Sequence, residues 1–240
     1  MGNPERQGAS LKKSARSRWL RPERSMLFFP LAILYWEMVF RTGVYHALPQ
    51  LGLQGVLTLL FSLALGGLLC LATTLCSPRT NRILSLFATA FLTFFYLLVM
   101  LYRWQYDAFP DLGKGRWLIQ TFAQPRQLGG AVMDCIFPMI ALFLPMLILS
   151  FADLFSLDFT PPSWPGRAGI LAWTLLFHAG GLVLLSLLGS DALRAVYQSG
   201  CPAGQPLGEE AVSAFGLLTA LRLQLKDLWG FPWSVTLPRI

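Results

Sequence analysis

The chain has 240 residues, of which 55% are hydrophobic and only 13% charged, a composition that excludes an ordinary soluble domain with a polar surface. The formal net charge of +7 raises nucleic-acid binding as an alternative, but seven of the 19 basic residues cluster before the first apolar stretch. Such a cluster is typical of the cytoplasmic flank of a membrane span. We therefore predict an all-α integral membrane protein that contacts membrane lipids and binds no nucleic acid. The cluster consists of Arg6, Lys12, Lys13, Arg16, Arg18, Arg21 and Arg24.

Five apolar stretches predict about five transmembrane helices, because crossing a bilayer takes about 20 mostly apolar residues. The first stretch is predicted to be an uncleaved signal anchor, since no small-residue cleavage site follows it. Pro138 and Pro145 predict a kink in the fourth stretch. In chain order the stretches are 26–45, 52–75, 83–102, 135–152 and 168–190.

Small residues recur every four positions in the second stretch, at Ser62, Gly66 and Cys70. Small side chains let transmembrane helices approach closely, so this stripe predicts a packing surface. Gly180 and Gly181 in the fifth stretch are predicted to offer the matching surface.

The distribution of charge divides the chain into three parts. Residues 1–25 are predicted to form a basic cytoplasmic segment, and residues 26–190 a five-helix transmembrane domain. An odd number of crossings then places residues 191–240 outside the cell. We therefore predict a multi-pass protein of the cell membrane with a cytoplasmic N-terminus and an extracellular C-terminus.

Residues 209–229 predict an amphipathic helix within the last part. Its apolar side chains recur at steps of three and four, and Glu209 and Glu210 lie in its first turn, where the helix dipole favours acidic groups. A helix with one apolar face beside a bilayer is predicted to lie flat in the interface. A coupling helix against a partner domain is the alternative. The residues assigned to this interfacial helix are Phe215, Leu218, Leu221, Arg222, Leu225 and Lys226.

The string FGLLTALRLQLK, from Phe215 to Lys226, resembles the segment after the last transmembrane helix in the lipoteichoic acid synthase family. Members of that family are sulfatase-superfamily phosphoglycerol transferases of bacterial membranes. The resemblance implies five membrane helices, a linking amphipathic helix and an extracellular catalytic domain that makes a cell-envelope polymer. The opening FPLAILYWEMVFR, residues 29–41, agrees with that plan.

The catalytic part of the family is not matched by this sequence. In the family a Thr nucleophile and a divalent metal such as manganese lie in the domain after the linker, and residues 232–240 do not resemble its start. We therefore expect the membrane half of such an enzyme. No catalytic residue, metal ligand or cofactor is assigned to this chain, and a separate catalytic domain is an expected partner.

Glu37 and Arg41 lie inside the first predicted span, four residues apart and so on one helix face. Charge within hydrocarbon is costly and usually marks function. One interpretation is a self-contained ion pair with Arg41 reaching towards the interface. The other is that both residues hold an anionic lipid headgroup, for which the resemblance suggests phosphatidylglycerol.

Together these features favour a membrane-anchoring, lipid-facing domain without chemistry of its own. A small membrane transporter is one alternative; it predicts several converging polar groups within the spans, and only Glu37, Arg41 and His178 qualify. An assembly partner of a separately encoded enzyme is the other.

Overall fold

A computed structural model of the chain describes residues 24–45, 52–111, 115–152, 157, 159–199 and 208–228. Within these ranges every regular element is a helix. The predicted basic segment up to residue 23, and residues 200–207 and 229–240 of the predicted extracellular part, lie outside the described residues. The helices are α1 (Arg24–Tyr45), α2 (Leu53–Thr73), α3 (Pro78–Tyr106), α4 (Arg116–Ala123), α5 (Pro125–Asp134), α6 (Ile136–Leu142), α7 (Leu144–Ser150), α8 (Trp164–Leu188), α9 (Asp191–Ser199), α10 (Glu209–Phe215) and α11 (Leu217–Leu228).

Four of these helices are long and apolar enough to cross a membrane: α1 from Met26 onward, α2, α3 and α8. The run of α5 with α6 and α7 is a fifth candidate, but it is bent by 78°. The prediction of an all-α polytopic membrane protein with about five spans is therefore confirmed.

The fourth predicted span differs in detail from the expectation of one kinked helix. The sharp bend falls at Cys135, between α5 and α6, and a second break falls at Phe143. Pro145 stands in the first turn of α7. Its missing N–H costs nothing there, because the first N–H groups of a helix have no partner within the helix.

Helix α2 packs between α1 and α8 through small residues. Gly66 faces the backbone of Pro30 in α1, where any Cβ atom would overlap it, and Gly67 faces Thr174 in α8. Gly181 of α8 receives the ring of Phe61, with only 2.8 Å between the ring edge and the place where a Cβ would stand. The second and fifth spans thus approach each other through Gly67 and Gly181, but not as predicted, because the stripe residue Gly66 faces α1 and Gly180 has no neighbour within 4 Å.

The two ends of the bundle can be told apart by their contacts. Phe29, Cys70 and Ile170 share one buried cluster, which marks what we call the proximal end. At the opposite, distal end the indole N–H of Trp104 in α3 donates to the Gly43 carbonyl at 3.0 Å. Helix α10 begins at the distal end, because Glu209 lies 3.3 Å from the Arg103 guanidinium of α3.

The segment after α9 differs from the single helix predicted over residues 209–229. It forms two helices, α10 and α11, separated at Gly216, whose φ of 86° and ψ of 162° are accessible essentially to glycine alone. Val212 and Leu217 are fully buried, and Phe215 shares a buried cluster with Leu57 of α2. The apolar face that predicted an interfacial helix thus packs largely against the membrane helices.

Candidate functional site

Two charged residues of α1 bind the polypeptide on either side of the break between α10 and α11. Glu37 binds the start of α11. The two carboxylate oxygens of Glu37 accept hydrogen bonds from the N–H groups of Leu217, at 3.0 Å, and Leu218, at 3.1 Å. These N–H groups begin α11 and have no partner within the helix. A negative charge there is also favoured by the helix dipole. Glu37 therefore caps a helix that lies 180 residues away in the chain.

Arg41, one turn further along α1, binds the end of α10. Its Nη2 atom donates to the Ser213 carbonyl at 2.6 Å, to the Val212 carbonyl at 3.4 Å and to the Thr58 hydroxyl at 2.5 Å. The two carbonyls belong to the last turn of α10, where the helix dipole favours a cation. The acid Glu37 thus binds the N-terminal end of α11, and the base Arg41, four residues later, binds the C-terminal end of α10.

A third helix completes the surroundings of Glu37. The hydroxyl of Tyr96 in α3 donates to the carboxylate at 2.7 Å, and Glu37 is only 1% exposed. The Tyr96 ring stacks on Trp36 at 6.0 Å between centroids and meets Phe40 edge-on at 5.7 Å. Three hydrogen bonds offset part of the cost of burying a carboxylate among aromatic rings.

Gly216 is required at the break for a second reason besides its backbone angles. A Cβ atom at this position would stand 2.8 Å from the Glu37 carboxylate carbon and one of its oxygens. Any other residue would therefore displace the carboxylate from the N–H groups that it binds. We call Glu37, Arg41 and Gly216 the clamp.

Both intramembrane charges therefore have protein partners. They share one helix face, as the spacing predicts, but within the described chain they form no ion pair with each other, so the self-contained pair is not what the structure shows. Their part in holding a lipid headgroup stays a prediction.

The residues assigned to the interfacial helix fall into two groups. Phe215 and Leu218 are buried, Phe215 against Phe61 of α2 and Leu218 in the main core. Leu218 also borders, together with the others, a cleft of about 770 Å³ beside α11. His178 lines this cleft too, and its ring centroid lies 5.6 Å from that of Phe61. Those others are Leu221, Arg222, Leu225 and Lys226.

The remaining walls of the cleft come mostly from α2 and α3. Ile33 of α1 contributes at the back, and Tyr197 and Gln198 contribute from α9. The wall residues of α2 and α3 are Leu65, Leu68, Leu69, Ala72, Ala88, Phe91 and Leu92.

Sequence reasoning missed Tyr96 and Thr58 as partners of the two charges, and it missed the break itself. Gly216 was the available signal, because an isolated glycine in a helical pattern lowers the expectation of a continuous helix. The apolar steps of three and four continue across it, from Val212 to Phe215 and Leu218, and so concealed the interruption.

The fold and the clamp define an all-α polytopic membrane protein whose last described segment is fixed to its first span. No group of three or more His, Cys, Asp or Glu side chains that could hold a metal ion occurs within the described ranges. Comparisons with known protein families, with curated proteins and with solved structures found no match for this chain.

Proposed function

We propose that this chain is a membrane anchor that presents its C-terminal segment, in one fixed pose, to a catalytic domain outside the cell. The observation that carries this proposal is the clamp, because α1 binds both ends of the break between α10 and α11. A linker that served only as a tether would need no such contacts.

The physical benefit is orientation. A domain that follows α11, or a protein that binds it, would stand at a set height and angle relative to the bilayer. An enzyme that acts on a lipid headgroup gains from such positioning, because its substrate is confined to the membrane plane and reaction requires the right geometry. Burial of Val212, Phe215 and Leu217 adds to the rigidity of the segment.

The proposed class of reaction is phosphoglycerol transfer for a cell-envelope polymer, as in the lipoteichoic acid synthase family. Support comes from the string Phe215 to Lys226, which contains Gly216 and the two N–H groups that Glu37 binds. The catalytic step and its divalent metal would belong to the catalytic domain. The basic cluster before the first span supports a cytoplasmic N-terminus, which makes the distal end extracellular.

The test is genetic complementation in the cells from which the chain comes. Deleting its coding sequence is expected to lower the amount of glycerol-phosphate polymer on the cell surface, and the unaltered chain is expected to restore it. Glu37→Ala should accumulate in the membrane without restoring the polymer. Met38→Ala, which alters the exposed neighbour of Glu37, is the matched control and should restore it. Unchanged polymer after deletion would refute the proposal.

An assembly partner of a separately encoded enzyme would use the same clamp. Co-purification of a sulfatase-like transferase with the chain from native membranes distinguishes this arrangement from a domain joined to α11. The transporter alternative gains no comparable support, because Glu37 and Arg41 are occupied by backbone groups and Tyr96.

A further inference from the structure

The cleft beside α11 has apolar walls and an open side. Leu68 of α2 and Phe91 of α3 line it and are 55% and 59% exposed. Both residues belong to spanning helices, so their exposed sides face hydrocarbon in a bilayer. An acyl chain could therefore enter sideways without crossing a polar surface.

Two cations of α11 line the same cleft. Arg222 and Lys226 are four residues apart and so share a helix face. The Arg222 guanidinium donates to the Tyr197 hydroxyl at 2.6 Å and lies 5.8 Å from the ring centre of Phe61. Among the described side chains no carboxylate lies within ion-pair distance of Arg222 or Lys226.

The position of Arg222 makes this lack of a counter-charge costly. Phe61 follows the start of α2 by eight residues, which places it about 12 Å along the helix from its distal end at 1.5 Å per residue. Tyr197 offers this arginine only a neutral hydroxyl, so an anionic partner is still favoured at such depth. The Glu37 carboxylate cannot serve, because it is already bound to Leu217, Leu218 and Tyr96.

An occupant with an apolar body and an anionic head fits both the apolar walls of the cleft and the two cations of α11. The volume of about 770 Å³ lies within the range of small-molecule sites. Arginine is suited to a phosphate because its planar fork donates two parallel hydrogen bonds, and the Tyr197 contact uses one of its five N–H donors. The surrounding bilayer supplies such a molecule directly.

We propose that the cleft binds an anionic phospholipid, with an acyl chain between α2 and α3 and the phosphate at Arg222 and Lys226. The site differs from Glu37 and Arg41, the headgroup candidates that the sequence indicates. It does not depend on the anchoring function, because it requires no partner domain.

The test compares lipids retained by the full chain in nanodiscs containing equal amounts of phosphatidylglycerol and phosphatidylcholine, measured by native mass spectrometry. The unaltered chain should retain the anionic lipid in preference, by about tenfold for one charge-assisted hydrogen bond. Arg222→Gln should remove most of that preference, and Arg222→Lys should keep part of it. The matched control is Arg116→Gln, which removes an exposed charge at the start of α4 and should leave the preference unchanged.

A second pair of variants tests the tail. Ala72→Trp would fill the cleft and should lower the retention of both lipids, whereas Leu75→Trp, at an exposed position outside the lining, should not. Equal retention of the two lipids by the unaltered chain, or equal effects of Arg222→Gln and Arg116→Gln, would overturn the proposal. Retention of an added polyprenyl phosphate with no preference among phospholipids would also overturn it. The anchoring function would survive each of these results, since its own test measures polymer.

Discussion

The two halves of α1 hold the bundle together by different means. In the proximal half, Phe29 and Ile33 are buried, and Pro30 lies against Gly66 so closely that shape alone sets the contact. In the distal half, Glu37 and Arg41 bind backbone groups of α10 and α11. Continuous helices need only close packing, whereas an interrupted helix leaves polar ends that must be paired when they are buried in a membrane protein.

Glu37→Ala should have the largest effect, because it leaves two buried N–H groups and the Tyr96 hydroxyl without their acceptor. We expect the free energy of unfolding to fall by roughly 3–5 kcal/mol. Denaturant titration in bicelles measures it, with Met38→Ala as the control. A loss no larger than that of the control would show that the distal half, too, is held by packing.

Gly216→Ala also tests the contacts of the distal half of α1, by changing the backbone at the break that this half binds. The φ of 86° is unfavourable for alanine, and the new Cβ would stand 2.8 Å from the Glu37 carboxylate. A loss of roughly 2–3 kcal/mol is expected in the same titration. Gly180→Ala, in a helix with nothing within 4 Å, should be neutral or slightly stabilising. Similar losses for both variants would argue against a specific requirement at Gly216.

Gly66→Ala tests the proximal half. Its Cβ would overlap the backbone of Pro30, so α1 and α2 must move apart, at a cost of about 1–3 kcal/mol. Gly169→Ala, with open space around it, should leave the stability unchanged. The loss at Gly66 should leave α10 and α11 in place, which limited proteolysis at Arg222 and Lys226 reports. Faster cleavage there would mean that the two halves are not independent.

Tyr96→Phe should have the smallest effect of these changes. It removes one of three donors to Glu37 and keeps the ring between Trp36 and Phe40, so about 1 kcal/mol is expected. Tyr35→Phe, which removes a half-buried bond of 2.9 Å to the Ala141 carbonyl, is the matched control and should cost less. The reverse order would place the stronger hydrogen bond outside the clamp.

Hydropathy identified the spans but not their ends. Helix α3 begins at Pro78, five residues before the predicted stretch, and ends at Tyr106 rather than at residue 102. Hydropathy detects only the part of a helix that matches hydrocarbon, whereas the helix itself continues into the polar region. Ser77 accepts from the Thr80 N–H at 3.4 Å and precedes a proline, a start signal that was readable in the sequence.

The clamp was only half predictable. The cost of charge in hydrocarbon singled out Glu37 and Arg41, and their spacing placed them on one face. Their partners could not be inferred, because Leu217 lies 180 positions from Glu37 and contributes a backbone group that any residue except proline carries. Tyr96 is also remote, at 59 positions, and its aromatic ring is unremarkable within a span.

The most direct test of the clamp is hydrogen exchange at the amides of Leu217 and Leu218, followed by NMR on leucine-labelled protein in nanodiscs. Both amides should be protected in the unaltered chain, and Glu37→Ala should speed their exchange by roughly tenfold to a hundredfold, the equivalent of one charge-assisted hydrogen bond. Gly66→Ala should leave both rates unchanged. If both amides exchange equally fast with and without the Glu37 carboxylate, α1 does not hold the break, and the account of the distal half is wrong.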